Sequence, residues 1–355
     1  MAKKYDVLIL GATYGSLMAL KLSLAGHNCK LVCLPQEAER INAEGLRVRM
    51  PAKGVEGVVE VESRKAPGAV SAAGPGEVNP ADYDLAVLAM QEPQYQAPGV
   101  RELMQKLAQS GVPCLSLTNI PPLTYMGRVP GVDVAALRGA YTDPTIWDAF
   151  DPALMTACSP DPQAFRPPEE AANVLQVSLP TNFKAARFES DAHTAMLRDL
   201  EADIDAVRYE TDGGAVELPV KLNVHESVFV PMAKWSMLIT GNFRCVRQDD
   251  LVTVNEAVNE DVERSRAVYD WVVDVVLGLG AAPEDLVAFE KYAKAAESLV
   301  RPSSTAKALL AGASNIERVD RLVQAIAQQQ GKRRPELDEV VEQVDARLES
   351  NRVAA

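Results

Sequence analysis

The segment LILGATYGSLMAL, residues 8–20, carries a buried-strand pattern into a turn with Gly11 and Gly15, then into an apolar helical pattern. The chemistry of such a turn is anion binding, because backbone N–H groups at a helix start, unobstructed by side chains, cradle a dinucleotide pyrophosphate. The usual Gly-x-Gly-x-x-Gly is broken here: Thr13 stands between the two glycines and the spacing is one residue short. Gly11 is expected to supply the tight turn and Gly15 the close contact. Gly11, Ala12, Thr13, Tyr14, Gly15 and Ser16 form the candidate cofactor loop, with an ordinary strand-to-helix turn as the competing reading.

Composition narrows the function classes. A chain of 355 residues exceeds a usual single domain, so two domains are expected. The formal net charge of -13 argues against nucleic acid and anionic membrane surfaces as partners. The five cysteines are separated, without a Cys-x-x-Cys pair, and the three histidines are scattered, so neither a disulfide framework nor a metal site is expected. The opening MAKKYDVLIL contains an aspartate and flows straight into the glycine turn, which suits a first strand better than a secretory signal. No apolar stretch is long enough for a membrane span. The expectation is a cytoplasmic protein.

Residues 5–10 and the stretch CKLVCL are continuous apolar runs of strand length flanking the helix at 15–25, which is the first unit of a doubly wound sheet. LRVRM and GVVEVES alternate like a hairpin, DLAVLAM (84–90) and VPCLSLTN (112–119) read as further strands, and VRELMQKLAQSG reads as a helix. VLQVSLP and AVRYET look like strands flanking a helix at HTAMLRDLEADI, whereas most of 128–185 resists assignment. From about 223 the patterns are helical. The expected fold is an α/β Rossmann-type domain over 1–222 followed by an all-α domain over 223–355 that closes over the substrate. A short-chain dehydrogenase is excluded, since no tyrosine has lysine four residues on.

LILGATYGS, LVCLPQEAERINAEGLRVRM (31–50), Asn119 at a strand end, KWSMLITGN (234–242) and RPSSTAKALLAGASNIERVD (301–320) resemble, in order and spacing, the ketopantoate reductase family. The resemblance covers most of the first 120 residues and the last 130 and leaves the middle unmatched. It implies a C-terminal domain like that of 6-phosphogluconate dehydrogenase, NADP or NAD as cofactor, a small-molecule carboxylic acid as substrate, and a homodimer. It makes Lys234 the general acid that protonates a carbonyl oxygen as hydride arrives, where an ammonium also stabilises the developing alkoxide. Lys234 and Asn242, eight residues apart, are expected on one helix. Asn119 matches a residue beside nicotinamide and substrate, and Ser304 a substrate-binding serine, with Ser303 before it. Glu317 lies near an acidic residue of the family, although gap-free pairing places Ile316 there. Bland readings stand beside each: a snorkelling lysine, a turn asparagine, helix-capping serines and a solvated carboxylate.

Departures from the family pattern are as informative. Its two cations for the 2′-phosphate are matched by Leu34 and Gln91, leaving cofactor choice to Arg40 or another residue reaching in. A family asparagine is matched by Leu238 and another by Arg301, which can pair bidentately with a carboxylate. The substrate expected is therefore a small 2-oxo acid or imine other than ketopantoate. Two alternatives stay open: an opine-type dehydrogenase joining an amino acid and a keto acid, with His225 as acid and base, and a non-catalytic nucleotide-binding protein.

Overall fold

The computed structural model describes residues 3–247 and 250–354. They form two compact units, one of residues 1–90, 94–118 and 146–228, the other of residues 91–93, 119–145 and 229–355.

The first unit is built on an eight-stranded sheet in the order Leu222–His225, Phe183–Ala186, Met155–Pro160, Cys114–Ser116, Leu85–Leu88, Asp6–Leu10, Asn28–Val32, Val70–Ala73. Val7, Leu8, Ile9 and Leu10 are fully buried, as an apolar run covered on both faces must be. Every pairing is parallel except Phe183–Ala186 against Met155–Pro160. Asp6–Leu10 lies between the next strand in sequence, Asn28–Val32, and Leu85–Leu88, reached by a crossover. The strand order therefore reverses at the carboxyl end of Asp6–Leu10, the position at which open α/β sheets bind ligands.

A second, four-stranded sheet places Arg47–Met50 between Val59–Glu62 and Val174–Leu179, with Gln163–Phe165 at its edge. The hairpin expected from the alternation at 46–63 is present, with Val48 opposite Val61. The intractable stretch before 185 supplies strands to both sheets. The helix Tyr14–Leu24 has Gly15 through Ser23 buried, because its Leu17, Met18, Leu20 and Leu22 share one core with Val48, Met50, Val61, Leu175 and Val177 of the second sheet. A helix apolar on all sides is stable only when covered on all sides.

The second unit contains no strand among the described residues apart from one isolated bridge, Val246 to Leu251. Its helices include Val254–Asn259, Val262–Leu277, Phe289–Ala296, Ser304–Leu310, Val319–Gln329 and Pro335–Ala354. Pro335–Ala354 buries Leu337, Val340, Val341, Val344 and Leu348, the spacing of one helical face. Tyr269 packs on Phe289 and Tyr292 at ring-centroid distances of 5.4 and 5.6 Å.

Candidate functional site

The glycine turn lies at the reversal point of the sheet. Gly11 has φ +109°, and a Cβ there would stand 2.7 Å from the Ala89 carbonyl oxygen and 2.9 Å from Met90 Cγ. Only glycine meets both demands without strain. A Cβ on Gly15 would lie 2.6 Å from Ile9 Cγ2 and 3.2 Å from Leu31 Cδ2. Gly15 therefore lets the helix close onto the strands, a packing role beside the cofactor contact expected from its spacing. Thr13 is exposed at the position of the missing glycine, and Ala12 and Ser16 are buried. Ser16 Oγ donates back to the Ala12 carbonyl. Tyr14 donates its hydroxyl to the Pro162 carbonyl and stands edge-on to Phe183. No side chain caps the helix Tyr14–Leu24, and its first turn holds no carboxylate. Its positive end thus suits an anion.

Beside the helix that follows the second strand stands a residue that sequence reasoning missed, Arg166. Leu34 is 68% exposed and precedes the helix Pro35–Glu44. Its N–H donates to Glu37 Oε2 at 3.2 Å, and Glu37 Oε1 pairs with Arg166 Nη1. Arg166 Nη2 is buried with no hydrogen-bond partner among the described residues. The cation at this helix start is thus Arg166, from 129 residues further along the chain. Arg40 instead pairs with Glu44 on the exposed face of the same helix, at 2.5 Å. Gln91, the other candidate for cofactor contact, is exposed in the second unit.

The second unit brings several candidates together. Asn119 Nδ2 donates to Glu317 Oε2 at 2.9 Å, and the Glu92 backbone N–H donates to Glu317 Oε1 at 3.3 Å. Burial pushes the Glu317 carboxyl up from its ordinary range, against these hydrogen bonds and the half-buried Lys234 ammonium, which pull it down. Ile316, its rival in a gap-free pairing, is buried as an apolar side chain.

Glu92 is the other residue missed. It is 2% exposed, and its carboxylate accepts from Thr142 N–H at 3.0 and 3.2 Å and from Thr142 Oγ1 at 2.8 Å. Tyr141 anchors the same segment by donating its hydroxyl to the Pro121 carbonyl at 2.7 Å. In sequence Glu92 is one charged residue in the loop QEPQYQ; nothing local marks it as buried.

Lys234 and Asn242 do not share a regular α-helix. The chain forms a 3₁₀ turn at Val230–Lys234, one α turn at Trp235–Met237 and a π turn at Leu238–Asn242. Tyr292 stands at this irregularity: it donates to the Met237 carbonyl at 3.0 Å and presses against Gly241, where any Cβ would collide with its hydroxyl. Such π turns recur at functional sites. Leu238 is buried in the core.

Ser303 caps the helix Ser304–Leu310, accepting from Ala306 N–H at 3.1 Å and donating to the Asn242 carbonyl at 2.7 Å. Ser304 and Arg301 are exposed, and among the described residues no hydrogen bond ties them to the Asn119–Glu317 pair. His225 ends a strand of the first unit and is not at a helix start.

Solved structures match this arrangement nearly end to end. A PanE/ApbA family ketopantoate reductase from Ralstonia eutropha JMP134 aligns with 98% of this chain and 99% of its own, at TM-score 0.64 and 17% identity. The chain has the ketopantoate reductase fold. A ketopantoate reductase from Ralstonia solanacearum MolK2, described as putative, aligns over the same shares at TM-score 0.67 and 14% identity. A D-mandelate dehydrogenase solved with NADH aligns with 97% of this chain and 99% of its own, at TM-score 0.59 and 13% identity. No protein-family model matches the chain, and no curated protein matches it in sequence. The ketopantoate reductase fold is thus carried here by a sequence far from those that share it.

Proposed function

We propose that this chain is an NAD(P)H-dependent reductase of a small 2-oxo acid. The observation that carries the reading is the hydrogen bond from half-buried Asn119 to buried Glu317 under the charge of Lys234, in a chain with the ketopantoate reductase fold. Solved proteins of this fold include one complexed with NADH, which supports a nicotinamide cofactor.

The residues fit such a cofactor. Gly11, Ala12, Thr13, Tyr14, Gly15 and Ser16 would hold the pyrophosphate at an uncapped helix start. Leu34, Glu37 and Arg166 would meet the adenosine ribose, with Arg166 supplying the positive charge absent from Leu34 and Gln91. When bound, the nicotinamide supplies a hydride to the carbonyl carbon. The chain's own part is to hold the acid and deliver a proton. Lys234 Nζ gives its proton to the carbonyl oxygen, so C=O becomes CH–OH and the amine is left neutral until water reprotonates it. The Lys234 charge favours the ionised form of Glu317, and Asn119 fixes the orientation of Glu317. Arg301, Asn242 and Ser304 are proposed to engage the substrate carboxylate and its polar substituents.

The test is Lys234→Ala, assayed for 2-oxo-acid-dependent oxidation of NADH and NADPH beside a fluorescence titration of both dinucleotides. Turnover lost with dinucleotide binding kept supports the reading; a mutant of wild-type activity removes it. Oxidation that also requires an amino acid would replace it by the opine-type reaction, and failure of both dinucleotides to bind at millimolar concentration would leave a non-enzymatic protein. A homodimer is proposed too, and sedimentation at micromolar concentration decides it.

A further inference from the structure

Three chain segments meet at Glu92. Its carboxylate takes both hydrogen-bond donors of Thr142, from the segment 119–145 that also contains Asn119. Its backbone N–H is on Glu317 Oε1, in the link between the helices Ser304–Leu310 and Val319–Gln329. Pro93 follows at once and stiffens the backbone that presents this N–H. We propose that Glu92 is a positioning residue: anchored on Thr142, it aims its own N–H at Glu317 and so sets how Glu317 receives Asn119.

The arrangement also passes charge. Burial pushes the Glu92 carboxyl up to about 7, against the hydrogen bonds from Thr142, and the Glu317 carboxylate pushes it in the same direction as burial. The charged and titratable groups acting here are Glu317 and Tyr141, with Lys234 acting on Glu317. Below neutrality Glu92 is uncharged, which favours an ionised Glu317 as acceptor for Asn119 and partner for Lys234. Above neutrality Glu92 is ionised, and two carboxylates then compete for one desolvated region. The geometry stands by itself; its consequence for turnover rests on the reductase reading.

The experiment follows the Asn119 side-chain amide by NMR against pH, in wild type and in Glu92→Gln. Glutamine keeps both Thr142 contacts, with its carbonyl on Thr142 N–H and its NH₂ donating to the hydroxyl, and removes only the ionisation. The expected result is an amide shift in wild type with a midpoint near that of the Glu92 carboxyl carbon, absent in Glu92→Gln. An amide that ignores pH there, or titrates equally in both proteins, overturns the inference. In the assay, wild-type kcat/KM should fall as pH rises through neutrality while Glu92→Gln stays flat, and Glu92→Ala should lose about fivefold or more at all pH values, the range in which contacting residues couple. If the amide titrates as expected but no 2-oxo acid is reduced, the reductase reading fails and the positioning inference survives. If reduction proceeds with the same pH profile in wild type and Glu92→Gln, the inference fails alone.

Discussion

The turn at residues 11–16 and the cluster around Glu317 are built from opposite materials. The turn works through what is missing: two positions with no Cβ, no cap and no carboxylate. The cluster is built from what is present, a desolvated carboxylate held by an amide and a backbone N–H, with the Lys234 charge favouring its ionised form. The difference teaches that the two have different tolerances. The turn leaves room for an exposed side chain at Thr13 but none for a methyl at Gly11, while the cluster depends on the hydrogen bonds that its buried carboxylate receives.

The predictions probe that contrast. Lys234→Ala should lower turnover by about 10²- to 10⁴-fold, the usual contribution of a general acid, with dinucleotide affinity unchanged. A parallel loss of affinity would show that the regions are not separable. Gly11→Ala should do the converse. A Cβ 2.7 Å from a backbone oxygen at φ +109° should cost about 1–3 kcal/mol of stability and abolish dinucleotide binding, measured by urea unfolding and fluorescence titration.

Glu92→Gln tests the cluster through stability. The Glu92 carboxyl, ordinarily near 4.5, is raised to about 7 in the folded chain, so the fold binds its proton more tightly than the unfolded chain does. Its favourable contribution is complete below the ordinary value and is lost as pH rises through the raised one. Glu92→Gln should therefore be more stable than wild type at pH 8, by on the order of 3 kcal/mol at about 1.36 kcal/mol per unit, and near parity at pH 4. Equal stability at both pH values in chemical denaturation would contradict a desolvated Glu92. The smallest effect is expected at Arg166→Ala: a threefold to tenfold weaker affinity for NADPH than for NADH relative to wild type, since a partly exposed charge contact is worth about 1 kcal/mol.

Strand runs such as YDVLIL and DLAVLAM were legible because burial on both faces leaves an unbroken apolar signature, whereas the reversal after Leu10 is visible only in the strand order of the folded sheet. The role of Gly15 was not legible: spacing alone does not distinguish a glycine that admits a ligand from one that admits the Ile9 methyl. Nor was the π turn after Lys234, where the Met237 carbonyl accepts from Tyr292, 55 residues further along the chain. Arg166 and Glu92 escaped for the same reason. Each acts through a partner far away in sequence, Glu37 and Thr142, and a charged residue in a loop gives no local sign of desolvation. In sequence nothing ranks Glu317 above Ile316; the structure adds the hydrogen bond that Glu317 accepts from Asn119.

The central claim is hydride delivery to a 2-oxo carbon with Lys234 as proton source. It is tested most directly by incubating wild type with reduced dinucleotide deuterated at nicotinamide C4 and a panel of 2-oxo acids, then analysing products by mass spectrometry. The account predicts a 2-hydroxy acid with deuterium on C2 from one of the two C4 epimers, formed about 10²- to 10⁴-fold more slowly by Lys234→Ala. Unchanged 2-oxo acids with unconsumed dinucleotide, or label transferred equally by Lys234→Ala, would contradict it.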